Sequence, residues 1–311
     1  MEKIEKKSKL VLGTVQLGMS YGINNTHGKP SEEEAFSILD TALAGGINTF
    51  DTAFAYGDEE AVLGRWLRAK SVGGKVRIIS KLKPHVLNEY PDGAKGGDIV
   101  RSEIEKTLGR LGVEQLDGYL FHSPHYIYLS HAISGMRKAK EEGLVSNIGV
   151  SIYDEAEAMQ AAEIGVDYIQ VPYNIFDQRL DKTNFFEIAK RNHVTIFGRS
   201  PFLQGLLLMD MSKIPPYLKH AEKFLSEFIA YSEKAGISRQ TLSLLFSFYH
   251  PNIDHIVFCV YTVAHLKEDF ATIANPPLGA KEAVFGLRER FQDISRGVIL
   301  PSLWARIKLT K

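Results

Sequence analysis

The chain has 311 residues, 44% of them hydrophobic, enough for one large barrel-type domain or two ordinary ones with a sizeable core. Its 37 lysines and arginines balance its 37 aspartates and glutamates, so no net field draws it to nucleic acid or an anionic membrane. Small molecules and other proteins are the default partners, and the single cysteine, Cys259, excludes an intrachain disulfide and a thiolate metal cluster.

The stretch Met1 to Lys7 is charged and lacks the apolar core of a signal peptide. A first strand is expected over Leu10–Thr14. Pro30 then precedes Ser31 and Glu34, spaced as a capping box, and Ala35, Ile38, Leu39 and Ala42 share one face of the helix that follows. Strands are expected at Ile47–Asp51 and Val76–Lys81, then a helix with an apolar stripe of Val100, Ile104, Leu108 and Leu111. Further strands fall at Leu116–His122 and Val145–Ser151, and Asp154 with Glu157 repeats the cap signal. Tyr168–Val171, Val194–Gly198 and His255–Val260 complete the set. Several of these runs are continuously apolar, as strands buried on both faces must be. The run Ile256 to Ala264 is far too short to span a bilayer, which takes about 20 residues. A soluble, cytoplasmic protein is expected.

A strand and a helix repeated in this way predict an α/β chain folded as a closed parallel (β/α)8 barrel, the TIM barrel, in one domain covering 1–311. The alternative is an open doubly wound sheet. Gly13 and Gly18 do not fit the G-x-G-x-x-G turn such a sheet uses for dinucleotides. About 276–311 exceeds what the barrel needs. Lys281 to Ser295 reads as helical, and this extension is either a solvated appendage or a cover for one barrel mouth.

Ionisable residues stand where successive strands end. Asp51 closes the second strand, Tyr56 follows in its loop, Lys81 closes the third and His122 the fourth. In a barrel the C-terminal strand ends meet at one mouth, where active sites lie. The four suit proton transfer coupled to carbonyl reduction. Lys81 beside Tyr56 is expected to lower the phenol pKa, Asp51 to keep Lys81 charged and directed, and His122 to orient the carbonyl. Each alone also has an ordinary reading: a solvated strand end, a helix cap, a core histidine, a packed tyrosine. Their joint placement favours the chemical one. A Schiff-base lysine is a second reading of Lys81, opposed by the carboxylate of Asp51. Histidines and acids show no metal-ligand spacing.

Gly13-Thr14 with Gly18, Asp51-Thr52-Ala53 with Tyr56-Gly57, then Lys81 and His122 resemble the aldo-keto reductase superfamily in order and spacing. Gly149-Val150-Ser151, Gln170 with Tyr173-Asn174, Ser200-Pro201 with Gly205, and Glu268 extend the likeness over roughly Leu10 to Ile273. The resemblance implies Tyr56 as general acid/base, tuned by Asp51 and Lys81, with His122 orienting the substrate. It implies a nicotinamide cofactor, NADPH by family habit with NADH also admitted, held by Gly13, Thr14, Ser151, Gln170, Arg199, Ser200, Leu203, Gly205, His265, Glu268 and Asp269. Asn174 fits either that set or a turn. Tyr21, Phe54 and His125 are candidates to line a polar substrate site, or loop residues packed on the rim. The implied substrate is a small carbonyl or hydroxyl compound. A non-catalytic, cofactor-binding or regulatory subunit is the alternative.

Three departures bear on these roles. Ile152 follows Ser151 where the family usually has asparagine. Arg199 replaces the aromatic residue that stacks on the nicotinamide; its planar guanidinium either stacks there or turns toward an anionic substrate. The eighth strand runs into Phe258-Cys259-Val260-Tyr261, with His265 where an arginine often stands, so NADPH preference is expected to be weak. The blocks Gly13 to Gly18 and Arg199 to Gly205 look like a bacterial branch often linked to sugar and surface-polysaccharide metabolism.

Overall fold

The computed structural model describes residues 8–88 and 95–304, so Met1 to Lys7 and the end of the C-terminal extension lie outside the described residues. Eight strands form a closed parallel barrel in sequence order: β1 Leu10–Gly13, β2 Thr49–Asp51, β3 Arg77–Leu82, β4 Leu116–Phe121, β5 Val145–Ser151, β6 Tyr168–Pro172, β7 Thr195–Arg199 and β8 His255–Phe258. β1 pairs with both β2 and β8, which closes the ring and excludes the open sheet. The strands sit where the sequence predicts them, within a few residues at each end.

The helices are α1 Val15–Gly18, α2 Glu32–Ala44, α3 Glu59–Lys70, α4 Gly96–Leu111, α5 Ser130–Glu141, α6 Glu155–Ile164 and α7 Phe185–Arg191. α8 Glu222–Ala235 and α9 Arg239–Phe248 precede β8; α10 Val263–Ala274, α11 Ala280–Arg288 and α12 Arg296–Ile299 follow it. Both capping boxes form: Ser31 and Asp154 each accept from a backbone amide three residues on, and Glu34 and Glu157 reach back. The predicted stripes face inward, with Ala35, Ile38, Leu39 and Ala42 of α2 and Val100, Ile104, Leu108 and Leu111 of α4 all buried.

The core has two parts. One large cluster fills the layer between barrel and helices. A smaller cluster of Val11, Ile79, Leu120, Tyr168, Phe197 and Val257 packs the barrel interior, so the interior is solid below the mouth.

The predicted helix over Lys281 to Ser295 ends earlier, at Arg288, where the chain turns to bury Phe291 and Ile294. Beyond it Val298, Ile299, Leu300 and Trp304 are buried, and Pro301 and Ser302 reach the wall of the main cavity. The described part of the extension is therefore packed against the rest of the fold, with Pro301 and Ser302 at the mouth. Among the described residues no helix is long and apolar enough to cross a membrane.

Leu120 is fully buried inside the barrel, and Leu278 is wholly exposed. Leu120→Ala should destabilise the fold by about 2–5 kcal/mol and Leu278→Ala by less than about 0.5 kcal/mol, read from urea unfolding. Similar costs at both sites would show that the interior cluster does not carry the barrel.

Candidate active site

One cavity of about 620 Å³ opens at the C-terminal ends of the strands. Gly13, Asp51, His122, Ser151, Gln170, Arg199 and Phe258 bring β1, β2, β4, β5, β6, β7 and β8 or the residues just after them to its wall. Its volume lies in the range of small-molecule and cofactor sites.

Beneath it lies a buried ion pair. Lys81 Nζ donates to Asp51 Oδ1 at 2.6 Å and to the Thr52 carbonyl at 2.8 Å, with both charged side chains almost wholly buried. Gln170 Nε2 donates to Asp51 Oδ2 at 2.6 Å, and Thr14 holds the Asp51 carbonyl through its amide and hydroxyl. Thr52 Oγ1 donates to Glu59, which is fully buried at the start of α3. Burial pushes the Glu59 carboxyl well above the ordinary carboxylate range.

Tyr56 stands over this pair. Its hydroxyl is 3.4 Å from Lys81 Nζ, and its ring meets the His122 ring edge-on at 5.8 Å. The loop is placed by two glycines. A Cβ on Gly18 would fall 1.9 Å from the Tyr56 carbonyl, and one on Gly57, at φ +73, 2.6 Å from the Gly18 carbonyl. Only glycine admits this approach of α1 to the tyrosine loop.

The electrostatics differ from the expectation that Lys81 lowers the tyrosine. Removal from water, and next the charge of Asp51, hold the Tyr56 phenol well above its ordinary value. Lys81 is already neutralised by Asp51, so little of its field is left for the phenol. Tyr56 therefore keeps its proton through the neutral range. Removal from water, Lys81 and Arg199 push His122 down to about 3, so its ring is neutral, and its buried Nδ1 has no hydrogen-bond partner. Burial pushes the Cys259 thiol up to about 12, which keeps it protonated beside Gly13.

The loop after β7 forms the opposite wall. Ser200, Leu203 and Gln204 take left-handed φ of 62, 47 and 54, and Gly205 takes 91. Three non-glycine residues in that region within one short loop mark backbone held to a special shape. Asn174 takes the turn role: Oδ1 accepts from Phe176 and Asp177 amides, and Nδ2 donates to the Ser200 carbonyl at 3.2 Å. The loop after β1 closes over this one. Ile23 donates to the Gln204 carbonyl at 3.0 Å, and a Cβ on Gly205 would meet Asn24 at 2.7 Å.

Tyr21, Tyr56, Ser151, Gln170, Arg199, Ser200, Gly205, His265 and Asp269 all reach the cavity. Thr14 and Leu203 lie just behind it, fully buried, and Glu268 is exposed outside it. Phe54 lies instead between Lys83 and Arg110, whose charges sit 5.3 and 5.0 Å from its ring. His125 is exposed and packs on Tyr126 at 4.5 Å. Neither belongs to the cavity lining.

The sequence reading passed over Gln16, Asn24, His27, Tyr153, Lys213, Gln240, Pro301 and Ser302, which also line the cavity. Gln16 had a signal, since it falls inside the Gly13 to Gly18 block. The others stand in irregular loops, at a helix start or on the tail, with no periodicity to expose them. Among the described residues no cluster of histidine, cysteine or acid groups could hold a metal.

The residues fit a nicotinamide cofactor. Gln170 spends its amide nitrogen on Asp51, which leaves Oε1 free to accept at the wall beside Ser151. Gln16 Oε1, His122 Nδ1 and Arg199 Nε, all on cavity-lining residues, are buried polar atoms without partners. A ligand in the cavity offers these three atoms the partners they lack.

A parallel barrel whose mouth gathers a protonated tyrosine, a neutral histidine and a buried lysine–aspartate pair belongs to a class equipped to handle protons in a sheltered cleft. Residues 9–283 match the aldo/keto reductase family, and the chain belongs to that family. It is 29% identical over 204 residues to the aldo-keto reductase str7 of Strobilurus tenacellus, covering 63% of this chain and 57% of that protein. It is 26% identical over 188 residues to the NADH-specific methylglyoxal reductase of Escherichia coli (strain K12), covering 54% of this chain and 57% of the relative. The chain thus spans little more than half the length of these relatives. An aldo-keto reductase from Bacillus halodurans, in its holo form, shares the fold with a TM-score of 0.72 at 20% identity, over 92% of this chain and 96% of that one.

The low pKa of His122 makes a prediction about stability. Unfolded, the ring gains a proton below about pH 6.5; folded, it stays neutral until about pH 3, so stability is lost as pH falls through that window. Between pH 7 and 5 the native chain should lose about 2 kcal/mol more than a His122→Phe variant, measured by urea unfolding at each pH. Parallel losses in the two proteins would contradict a neutral His122.

Proposed function

We propose that the chain is an NAD(P)H-dependent carbonyl reductase with Tyr56 as general acid. The observation that carries the reading is the convergence of Tyr56 and the neutral His122 ring on one cavity, with the Tyr56 hydroxyl 3.4 Å from a Lys81 ammonium fixed beneath it by Asp51. A nicotinamide dinucleotide, held by Ser151, Gln170 and the loop after β7, would supply the hydride for the carbonyl carbon. The oxygen then develops negative charge and needs a proton. Tyr56 holds one through the neutral range and releases it as the oxygen becomes more basic than the phenolate. Lys81 Nζ, 3.4 Å away, would donate a hydrogen bond to the phenolate left behind. A neutral His122 donates a hydrogen bond to the carbonyl oxygen and so orients it.

The proposed cofactor set follows the cavity. Ser151 and Gln170 would hold the carboxamide. The backbone of Ser200, Leu203 and Gly205, shaped by its left-handed residues, would run along the phosphates, with Gly13 and Thr14 supporting the ring end. His265 and Asp269 would stand at the adenosine end, with Glu268 nearby on the surface of α10. There Cys259, Tyr261 and His265 replace basic partners. Lys213, which reaches the wall as Arg199 does, is paired with Asp210 at 3.3 Å. Burial holds the Asp269 carboxyl up near 7, so above that pH it adds negative charge where a 2′-phosphate would approach. The name of the Escherichia coli relative, NADH-specific, agrees with weak NADPH preference. The polar wall of Gln16, Tyr21, Asn24 and Gln170 suits a hydroxylated, sugar-derived carbonyl. A Schiff-base role for Lys81 is disfavoured, because an ammonium bonded to Asp51 and Thr52 is no nucleophile.

Tyr56→Phe keeps the ring and removes the proton. Turnover should fall by about 100-fold or more with cofactor dissociation constants little changed; near-normal turnover would exclude the assignment. For cofactor choice, fluorescence titration should place NADPH and NADH within about tenfold of each other, since the charge-assisted bonds that favour the phosphate are missing. A preference of several orders of magnitude for NADPH would refute this.

A further inference from the structure

Arg199 closes β7 and lines the cavity. Its guanidinium donates to the Ile152 carbonyl at 3.0 Å and reaches Ser200 Oγ only at 3.5 Å, while Nε is buried without a partner. One face lies over the Tyr153 ring at 4.9 Å. Among the described residues it forms no ion pair. Asp177, the acid whose charge it feels, is held by Arg179 at 2.8 Å. A guanidinium offers five donors, and most of these are unspent. Its charge acts on Tyr56, Tyr21 and His122, so it faces the space in which the proton donors meet.

The lysines of the site are already matched, Lys81 by Asp51 and Lys213 by Asp210. Among the described residues the mouth therefore carries one uncompensated positive charge, half-buried and held in place by the Ile152 carbonyl and the Tyr153 ring. Such a fixed, under-bonded guanidinium is a preformed site for a planar anion. A single net charge suits a carboxylate better than a phosphate dianion. Stacking on the nicotinamide is the poorer use, because it would set this charge against a ring that is itself positive when oxidised.

We propose that Arg199 anchors a carboxylate of the substrate, so that the compound turned over is an oxo acid, or the corresponding hydroxy acid, with its carboxylate within a few bonds of the reacting carbon. This rests on the reductase reading of the same cavity and narrows it to an anionic substrate.

The test compares pyruvate with methyl pyruvate, which present the same ketone with and without the charge, in the native chain and in Arg199→Met and Arg199→Lys. Native kcat/KM should favour pyruvate. Arg199→Met should lose about 100-fold on pyruvate and less than about threefold on the ester, with Arg199→Lys between. Equal losses on both compounds, or a native preference for the ester, would overturn the proposal and leave Arg199 to the cofactor. Calorimetry with oxamate, which is not reduced, reads the anion site apart from catalysis. Binding that is lost in Arg199→Met and partly restored in Arg199→Lys supports the anchor even if neither ketone is reduced, in which case the reductase reading fails instead. Oxamate binding that is absent in the native chain, or unchanged in Arg199→Met, sinks the anchor whatever the turnover shows.

Discussion

The mouth of the barrel is organised around a buried salt bridge. Lys81 and Asp51 stand on neighbouring strands, and each would be an intolerable charge there without the other; removing one partner from such a pair costs about 3–5 kcal/mol. The pair is also held by residues around it. Gln170 comes across the barrel from β6, Thr52 and Thr14 hold the backbone, and Glu59 braces Thr52 from the first turn of α3. Tyr56 sits in the loop between these supports, pressed against α1 through Gly18 and Gly57. The tyrosine position therefore follows from the salt bridge and from one glycine contact.

That pairing also governs the field in the cavity. Because Asp51 spends the charge of Lys81, the phenol above is ruled by its removal from water and keeps its proton. Arg199 has no such partner among the described residues, and after removal from water it is Lys81 and then Arg199 that keep His122 neutral. On the proposed function, a protonated tyrosine and a neutral histidine next to the Arg199 charge would receive negative charge from a ligand. In the proposed reaction that charge arises on the carbonyl oxygen.

The walls come from loops that meet only in the closed barrel. The loop after β1 rests on the left-handed turn after β7, and the described part of the C-terminal extension brings Pro301 and Ser302 to the same rim. His27, Tyr261 and His265 cluster with ring centroids 6.0 to 6.4 Å apart, joining the β1 loop to the segment after β8. Length that exceeds the needs of the barrel is used here to shape the cavity.

The eight strands, both capping boxes and the convergence of Asp51, Tyr56, Lys81 and His122 were legible in the amino-acid sequence, because each is a local pattern or a strand end. Apolar runs, helical spacing and caps act over a few residues and leave their mark in order along the chain. The placement of Phe54 under Lys83 and Arg110, the protonation of Tyr56, the bracing by Glu59 and the unpaired state of Arg199 were not. Each depends on which groups distant in sequence share a neighbour, and on how far burial outweighs a nearby charge. Linear order alone determined the barrel and the ring of residues at its mouth. Only the tertiary structure decided which of those charges cancel, since cancellation is a matter of distance and removal from water.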